Sequence, residues 1–187
     1  MARCLELAAL AEGRTAPNPL VGSVIIDCAG KIVAEGYHKK AGLPHAEAEA
    51  LRIAGERARG GTIYVNLEPC SHHGRTPPCA EAIVKAGIKK VVAAIADPNP
   101  KVAGSGFELL REHGIEVVVG PMQDEARWLN RGFLKVQSQN LPWLTLKMAA
   151  TLDGRIAERK GRSKWITGEG ARHLVQDLRN TYDCVPV

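Results

Sequence analysis

His45, Cys70 and Cys79 are residue types that bind metal ions, and each lies at the end of a predicted secondary-structure element. His45 enters a predicted helix, Cys70 leaves a predicted strand, and Cys79 enters the next predicted helix. One imidazole and two thiolates are good zinc donors, and three protein ligands leave a fourth tetrahedral position for water. The sequence therefore predicts one zinc ion per chain, in a catalytic rather than a structural site.

Glu47 lies two residues past His45, in the first turn of the same predicted helix. There its carboxylate can reach a water molecule beside the ligands without binding the metal itself. Such a group can take a proton from the water, deliver it to a ring nitrogen and later protonate a departing amine. The H-x-E and P-C patterns that these residues form are typical of zinc deaminases.

The alternative interpretation is structural. A lone cysteine is usually a small buried residue, and a lone histidine is usually a surface or hydrogen-bonded residue. The joint occurrence of the three metal-binding residues with Glu47 favours the zinc site. The other three cysteines, Cys4, Cys28 and Cys184, are interpreted as incidental thiols.

The elements that must position these residues alternate between helix and strand. The patterns predict helices over 2–12, 46–59, 78–86, 105–113 and 122–137, and strands over 20–26, 31–37, 62–67, 90–96 and 115–119. This alternation implies a three-layer α/β/α sandwich with a mixed, mostly parallel five-stranded sheet. A strand over 143–149 and a helix over 169–179 look like the start of a second α/β domain. We divide the chain into 1–121, a connecting helix 122–140, and 141–187.

Composition limits the partners and the location. The chain has 187 residues, of which 45% are hydrophobic, and no apolar run is as long as a membrane span. Five cysteines at irregular spacing argue against a disulfide framework. The formal charge of +5 is scattered, and the densest basic cluster, over 159–164, is interpreted as a solvated loop. We expect a cytoplasmic protein that binds neither membrane nor nucleic acid, and a homo-oligomer is compatible with the sequence.

One run of sequence identifies a family. Residues 68–79 read EPCSHHGRTPPC, and eight residues separate the two cysteines, where nucleobase deaminases typically have two. This run resembles the bifunctional deaminase/reductase family of riboflavin biosynthesis. The segments TAPNPLVG (15–22), DPNP (97–100), NRGFLK (130–135) and SKWITG (163–168) agree with that family. The resemblance implies a cytidine-deaminase-like fold and hydrolytic deamination of a phosphorylated diaminopyrimidinone, with release of ammonia.

The resemblance also implies the residues that contact this small phosphorylated substrate: Asn18, His72, Arg75, Asp97 and Asn99. A cation in the loop between the cysteines could hold the ribose phosphate. Asp97 and Asn99 follow a strand's carboxyl end, where open α/β sheets place ligands. Turn formation remains an alternative for the Asn and Asp residues, because they lie beside prolines. A solvated loop charge is the alternative for Arg75, and His72 could be a neighbour of the metal that does not contact substrate.

The last part of the chain resembles the start of the family's reductase domain, at Lys147, Ser163, Trp165 and Arg179. Fewer than fifty residues follow Asn140, so we interpret this part as truncated. NADPH would be a cofactor only with a complete reductase domain, and we expect deamination without reduction.

Two rival functions stay open. The nearest is a deaminase acting on a nucleoside or on tRNA with the same zinc chemistry, which the long loop between the cysteines disfavours. The other is a non-catalytic binding module stabilised by zinc, which Glu47 disfavours because a structural site needs no unliganded carboxylate.

Overall fold

The computed structural model describes residues 1–72, 77–99 and 102–185. It divides into two compact units, Met1–Pro142 and Trp143–Val187, which are considered separately.

The first unit contains the five predicted strands in one sheet. They are β1 (Gly22–Ile26), β2 (Ile32–Tyr37), β3 (Thr62–Val65), β4 (Lys90–Ala93) and β5 (Glu116–Val119), in the order β2-β1-β3-β4-β5. β1 pairs antiparallel with both β2 and β3, whereas β3, β4 and β5 pair in parallel. The prediction of a mixed sheet that is parallel after the opening hairpin is confirmed.

The helices of this unit are shorter than the sequence patterns predict. They are α1 (Ala2–Ala9), α2 (Ala46–Ala54), α3 (Cys79–Lys85), α4 (Ser105–Glu112), α5 (Gln123–Leu129) and α6 (Arg131–Gln139), and a 3-10 turn, Gly55–Ala58, follows α2. Gly87 and Gly114 follow α3 and α4 with φ of 71° and 73°, a conformation that glycine adopts without steric cost. No helix in the described ranges is long and apolar enough to cross a membrane.

Helices cover both faces of the sheet, as a three-layer sandwich requires. Val24 and Ile25 are neighbours on β1, so their side chains point to opposite faces. Val24 packs with Cys4 and Leu7 of α1, and Ile25 belongs to the main core together with Ala46 and Ala50 of α2.

The predicted single helix over 122–137 is wrong, because the chain breaks at Asn130 between α5 and α6. Asn130 is buried, and its side chain bonds to both backbone groups of Leu20, accepting from the N–H at 2.8 Å and donating to the C=O at 2.9 Å. Its φ of −98° and ψ of 16° depart from helical values. This tertiary contact interrupts a segment whose periodicity is helical throughout.

In the second unit, the predicted helix over 169–179 is confirmed as α7 (Glu169–Thr181), whereas the predicted strand over 143–149 is wrong. That segment has no strand partner among the described residues. A strand is stabilised by hydrogen bonds to a neighbouring strand, so an alternating apolar pattern cannot form one alone. Leu144 and Leu146 are each 83% exposed.

Candidate metal centre

His45, Cys70 and Cys79 converge on one point at the carboxyl end of β3. His45 is the N-cap residue of α2, Cys70 lies in the loop after β3, and Cys79 is the first residue of α3. One donor atom from each lies within 4.8 Å of the other two. Residues 34 positions apart in sequence therefore meet at the ends of three elements.

The distances between these donor atoms fit a zinc ion. His45 Nδ1 lies 3.6 Å from the Cys70 Sγ and 3.3 Å from the Cys79 Sγ. Bond lengths to tetrahedral zinc of about 2.3 Å for sulfur and 2.1 Å for nitrogen place such atoms about 3.6 Å apart. His45 thus offers Nδ1, and no fourth histidine, cysteine or carboxylate among the described residues joins this group. Three donors of this chemistry suit zinc in an open site.

The local hydrogen bonds favour a thiolate at Cys70. Its sulfur accepts from the backbone N–H of Cys79 at 3.3 Å, at the start of α3. Hydrogen bonds from the Cys79 thiol and from His45 lower the pKa of Cys70 to about 4, against the effect of its burial. The Cys79 thiol donates in that pair, so its own pKa is raised. The hydrogen bond with Cys70 raises the pKa of His45.

Glu47 is a buried acid beside the three donor atoms. Its side chain is in the first turn of α2, and the residue is only 3% exposed. Burial, and then the charge of Cys70, raise the pKa of Glu47 to about 7. A carboxyl group with this pKa exchanges protons readily near neutral pH, as a general acid and base must.

The helix that carries His45 and Glu47 lies directly against β2. A Cβ atom on Gly36 would be 2.5 Å from the Ala46 carbonyl oxygen and 2.7 Å from the Ala50 backbone nitrogen. Only glycine permits this approach, because any side chain would push the helix away from the sheet. The close contact holds the N-terminal end of α2 in its place at the site.

The residues predicted to contact substrate have different positions. Asp97 and Asn99 follow β4, and the Asp97 Oδ1 accepts from the Asn99 N–H at 2.9 Å, as in a turn formed by an Asp residue. Burial raises the pKa of Asp97, and the hydrogen bond from the Asn99 N–H partly offsets this. His72 is exposed, whereas Asn18 is half-buried. Arg75 lies outside the described residues.

Glu68, for which the sequence predicts no role, is buried between the loop after β4 and the start of α4. Glu68 is buried, and its carboxylate accepts four backbone N–H groups, from Asp97, Gly104, Gly106 and Phe107, at 2.9 to 3.3 Å. The first turn of α4 and the loop after β4 are thereby joined to the segment that leads to Cys70. The position of Glu68 two residues before a predicted metal ligand is the feature of the sequence that could have indicated this role.

His38, at the end of β2, is the second residue that sequence reasoning missed. It is 2% exposed, and its ring lies edge-on to the His45 ring with the centroids 5.5 Å apart. Burial lowers the pKa of His38. Nδ1 lies 3.0 Å from the Pro44 carbonyl oxygen, and Nε2 lies 3.0 Å from the Asn18 amide nitrogen. The sequence of β2, which precedes His38, gives no indication that this histidine would be buried against a predicted metal ligand.

The four residues of the predicted reductase start, Lys147, Ser163, Trp165 and Arg179, line one cavity of about 660 Å³ within the second unit. The guanidinium of Arg172 lies 4.6 Å from the centroid of the Trp165 ring there. These four residues therefore lie close together in the folded second unit. The remaining cysteines are outside the metal centre, with Cys4 buried and Cys28 and Cys184 exposed.

Two family models match the sequence. The cytidine and deoxycytidylate deaminase zinc-binding region matches residues 1–95, and the RibD C-terminal domain matches residues 142–186. The riboflavin biosynthesis protein RibD of Escherichia coli is 55% identical over 179 residues, which are 96% of this chain and 48% of that protein. The chain spans about half the length of the curated relatives it matches.

Solved structures also match almost the whole of this chain and about half of their own length. Acinetobacter baumannii RibD has a TM-score of 0.91 and 54% identity, over 96% of this chain and 50% of that one. A diaminohydroxyphosphoribosylaminopyrimidine deaminase/5-amino-6-(5-phosphoribosylamino)uracil reductase from Thermotoga maritima has a TM-score of 0.91 and 47% identity, over 97% of this chain and 52% of that one. The cytidine-deaminase-like fold predicted for the first unit is confirmed.

Proposed function

The chain belongs to the cytidine and deoxycytidylate deaminase family, and we propose that it deaminates 2,5-diamino-6-(5-phosphoribosylamino)pyrimidin-4(3H)-one. The products are 5-amino-6-(5-phosphoribosylamino)uracil and ammonia. Water supplies the oxygen, the C–N bond to the amine breaks, and no oxidant or reductant is consumed. The high identity to RibD proteins and the eight-residue spacing between the two cysteines support this substrate.

The observation that carries the proposal is a buried carboxylate beside three converging donor atoms. His45, Cys70 and Cys79 would hold zinc, and Glu47 is not needed as a ligand. Zinc, when bound in such a site, acts as a Lewis acid that lowers the pKa of water to about 7. A structural site would have four protein ligands and would not need a buried carboxyl group that is not itself a ligand.

Glu47 performs the proton transfers. It takes a proton from the attacking water and gives it to the ring nitrogen next to the carbon that bears the amine. It then takes the proton of the hydroxyl group formed on that carbon and gives it to the departing amine, so that the carbonyl forms and ammonia rather than an amide anion leaves. Its position in the first turn of α2 places the carboxyl group beside the donor atoms, and burial shields it from bulk water.

The residues around the centre bind and orient the substrate. Asn18 contacts the ring, Asp97 and Asn99 contact the substrate from the loop after β4, and His72 and Arg75 contact it from the loop between the cysteines. Arg75 binds the ribose phosphate, because a guanidinium forms paired hydrogen bonds with phosphate oxygens. A small phosphorylated pyrimidine is therefore the expected ligand.

Ammonia release tests the proposal and its rivals together. The zinc-loaded chain is assayed with the diaminopyrimidinone phosphate, with cytidine and with a tRNA transcript. We expect release from the first substrate only. Release from cytidine or tRNA would favour a nucleobase deaminase. Bound zinc without turnover of any of the three would favour a binding module.

A further inference from the structure

The hydrogen bonds of His38 determine which ring nitrogen carries the proton. The Pro44 carbonyl oxygen can only accept, so Nδ1, at 3.0 Å, must be the donor. In the neutral ring the other nitrogen, Nε2, then has no hydrogen and is an acceptor. A backbone carbonyl thus selects the tautomer of a buried histidine.

This tautomer in turn orients the Asn18 side chain. An acceptor at Nε2 requires a donor opposite, and only the NH₂ group of the Asn18 amide can donate. The amide nitrogen lies 3.0 Å from Nε2. The amide oxygen therefore points away from His38, where it can accept a hydrogen bond from a ligand. With the opposite tautomer the amide would turn over and present its NH₂ group instead.

His38 also links Asn18 to the metal centre. Its ring packs edge-on against the His45 ring, and its partner Pro44 directly precedes His45 in the sequence. The amide of Asn18 is therefore hydrogen-bonded to a ring that itself contacts a predicted metal ligand. Backbone bonding supports the loop as well, since the Asn18 N–H donates to the Thr15 carbonyl oxygen at 2.8 Å.

We propose that His38 is a positioning residue that holds the Asn18 amide oxygen toward the substrate, so that the site selects a ring edge that presents an N–H group. This proposal rests on the proposed function for the identity of the ligand, an aminopyrimidine. A ring edge that presents a lone pair there would face the amide oxygen and be rejected, because two acceptors repel and neither is satisfied.

The tautomer can be tested without any substrate. Long-range nitrogen–proton NMR spectra of the zinc-loaded chain are compared with those of the His38→Gln variant, which assigns the His38 signals. We expect a protonated Nδ1 and an unprotonated Nε2, and we expect the Asn18 side-chain NH₂ signals to shift in a His38→Leu variant. Protonation at Nε2, or unchanged Asn18 signals, would overturn the proposal.

A double-mutant cycle tests the positioning role. We expect His38→Leu and Asn18→Ala each to lower kcat/KM for the diaminopyrimidinone phosphate by about tenfold, the usual scale for losing a buried hydrogen bond. The double variant should be no slower than Asn18→Ala alone, because His38 acts through Asn18. His38→Gln should recover most activity, since its carbonyl oxygen can accept from Asn18.

Multiplicative effects in this cycle, or loss of zinc from His38→Leu, would show that His38 acts through the fold or the metal and not through Asn18. Zinc content is therefore measured for every variant. A wild-type chain without deaminase activity would overturn the proposed function, whereas the NMR comparison would still decide whether His38 orients Asn18.

Discussion

The carboxylate of Glu68 accepts a hydrogen bond from the backbone N–H of Asp97 at 3.1 Å, across 29 positions of sequence. Cys70 follows Glu68 by two residues, so this bond joins the segment of a predicted metal ligand to the loop of a predicted substrate contact. The same carboxylate oxygen also accepts from Gly104, and the other one accepts from Gly106 and Phe107.

Replacing Glu68 by glutamine should destabilise the first unit. The amide retains one oxygen, so two of the four N–H groups would face an NH₂ group and lose their acceptor. We expect the free energy of unfolding to fall by about 1–3 kcal/mol, as for other buried donors left unsatisfied. Urea denaturation measures this. Glu112→Gln, at an exposed position on α4, is the matched control. Equal stability of both variants would contradict the role of Glu68.

Zinc content should depend on two of the five cysteines. Cys70→Ala and Cys79→Ala should lose the metal, because each removes one of three donors, whereas Cys4→Ala and Cys28→Ala should retain one zinc per chain. Metal analysis of purified variants measures this. Cys184→Ala is the decisive control, since loss of zinc from that variant would mean a closed site with four ligands and would contradict the catalytic proposal.

Glu47→Gln should retain zinc and fold but lose most of the deamination rate. Glutamine has nearly the same shape and cannot transfer protons, and general acid and base steps contribute about 10² to 10⁴ in rate. Steady-state ammonia release, with zinc content and circular dichroism as controls, measures this. Near-normal turnover of the variant would mean that another group moves the protons.

Arg75→Ala should mainly raise KM for the phosphorylated substrate. The guanidinium is proposed to bind the phosphate, which takes no part in bond breaking, so kcat should change little. The control is the dephosphorylated substrate, whose KM should not respond to the substitution. An equal effect on both substrates would show that Arg75 does not bind phosphate.

Gly36→Ala should destabilise the fold and weaken zinc binding together. The new methyl group would lie 2.5 Å from the Ala46 carbonyl oxygen, so α2 must shift and carry His45 with it. Overpacking of this kind typically costs about 1–3 kcal/mol. Thermal unfolding with and without zinc measures both effects. Gly168→Ala is the control, because no atom of the residues that the structure describes lies within 4 Å of its Cβ position.

The sequence alone predicted which residues would form the candidate metal centre, and it determined the alternation of elements. Histidine and cysteine are scarce in this chain, and His45, Cys70 and Cys79 stand at informative spacings with Glu47 two residues after His45. Local periodicity sets whether a segment is helix or strand. Those signals are contained within single segments. They predicted the five strands and the helix-end positions of the donors, which the structure brings within 4.8 Å.

Only the tertiary structure decided the features that depend on contacts between distant segments. The break at Asn130 depends on Leu20, which lies 110 positions earlier, and residues 143–149 form no strand because no described neighbour pairs with them. The partners of Glu68 and His38 are likewise set by how loops meet at one end of the sheet. Hydrogen bonds between distant segments produce no periodic pattern in the sequence. A buried polar side chain needs a hydrogen-bond partner, but tertiary packing decides which backbone group lies close enough to be that partner.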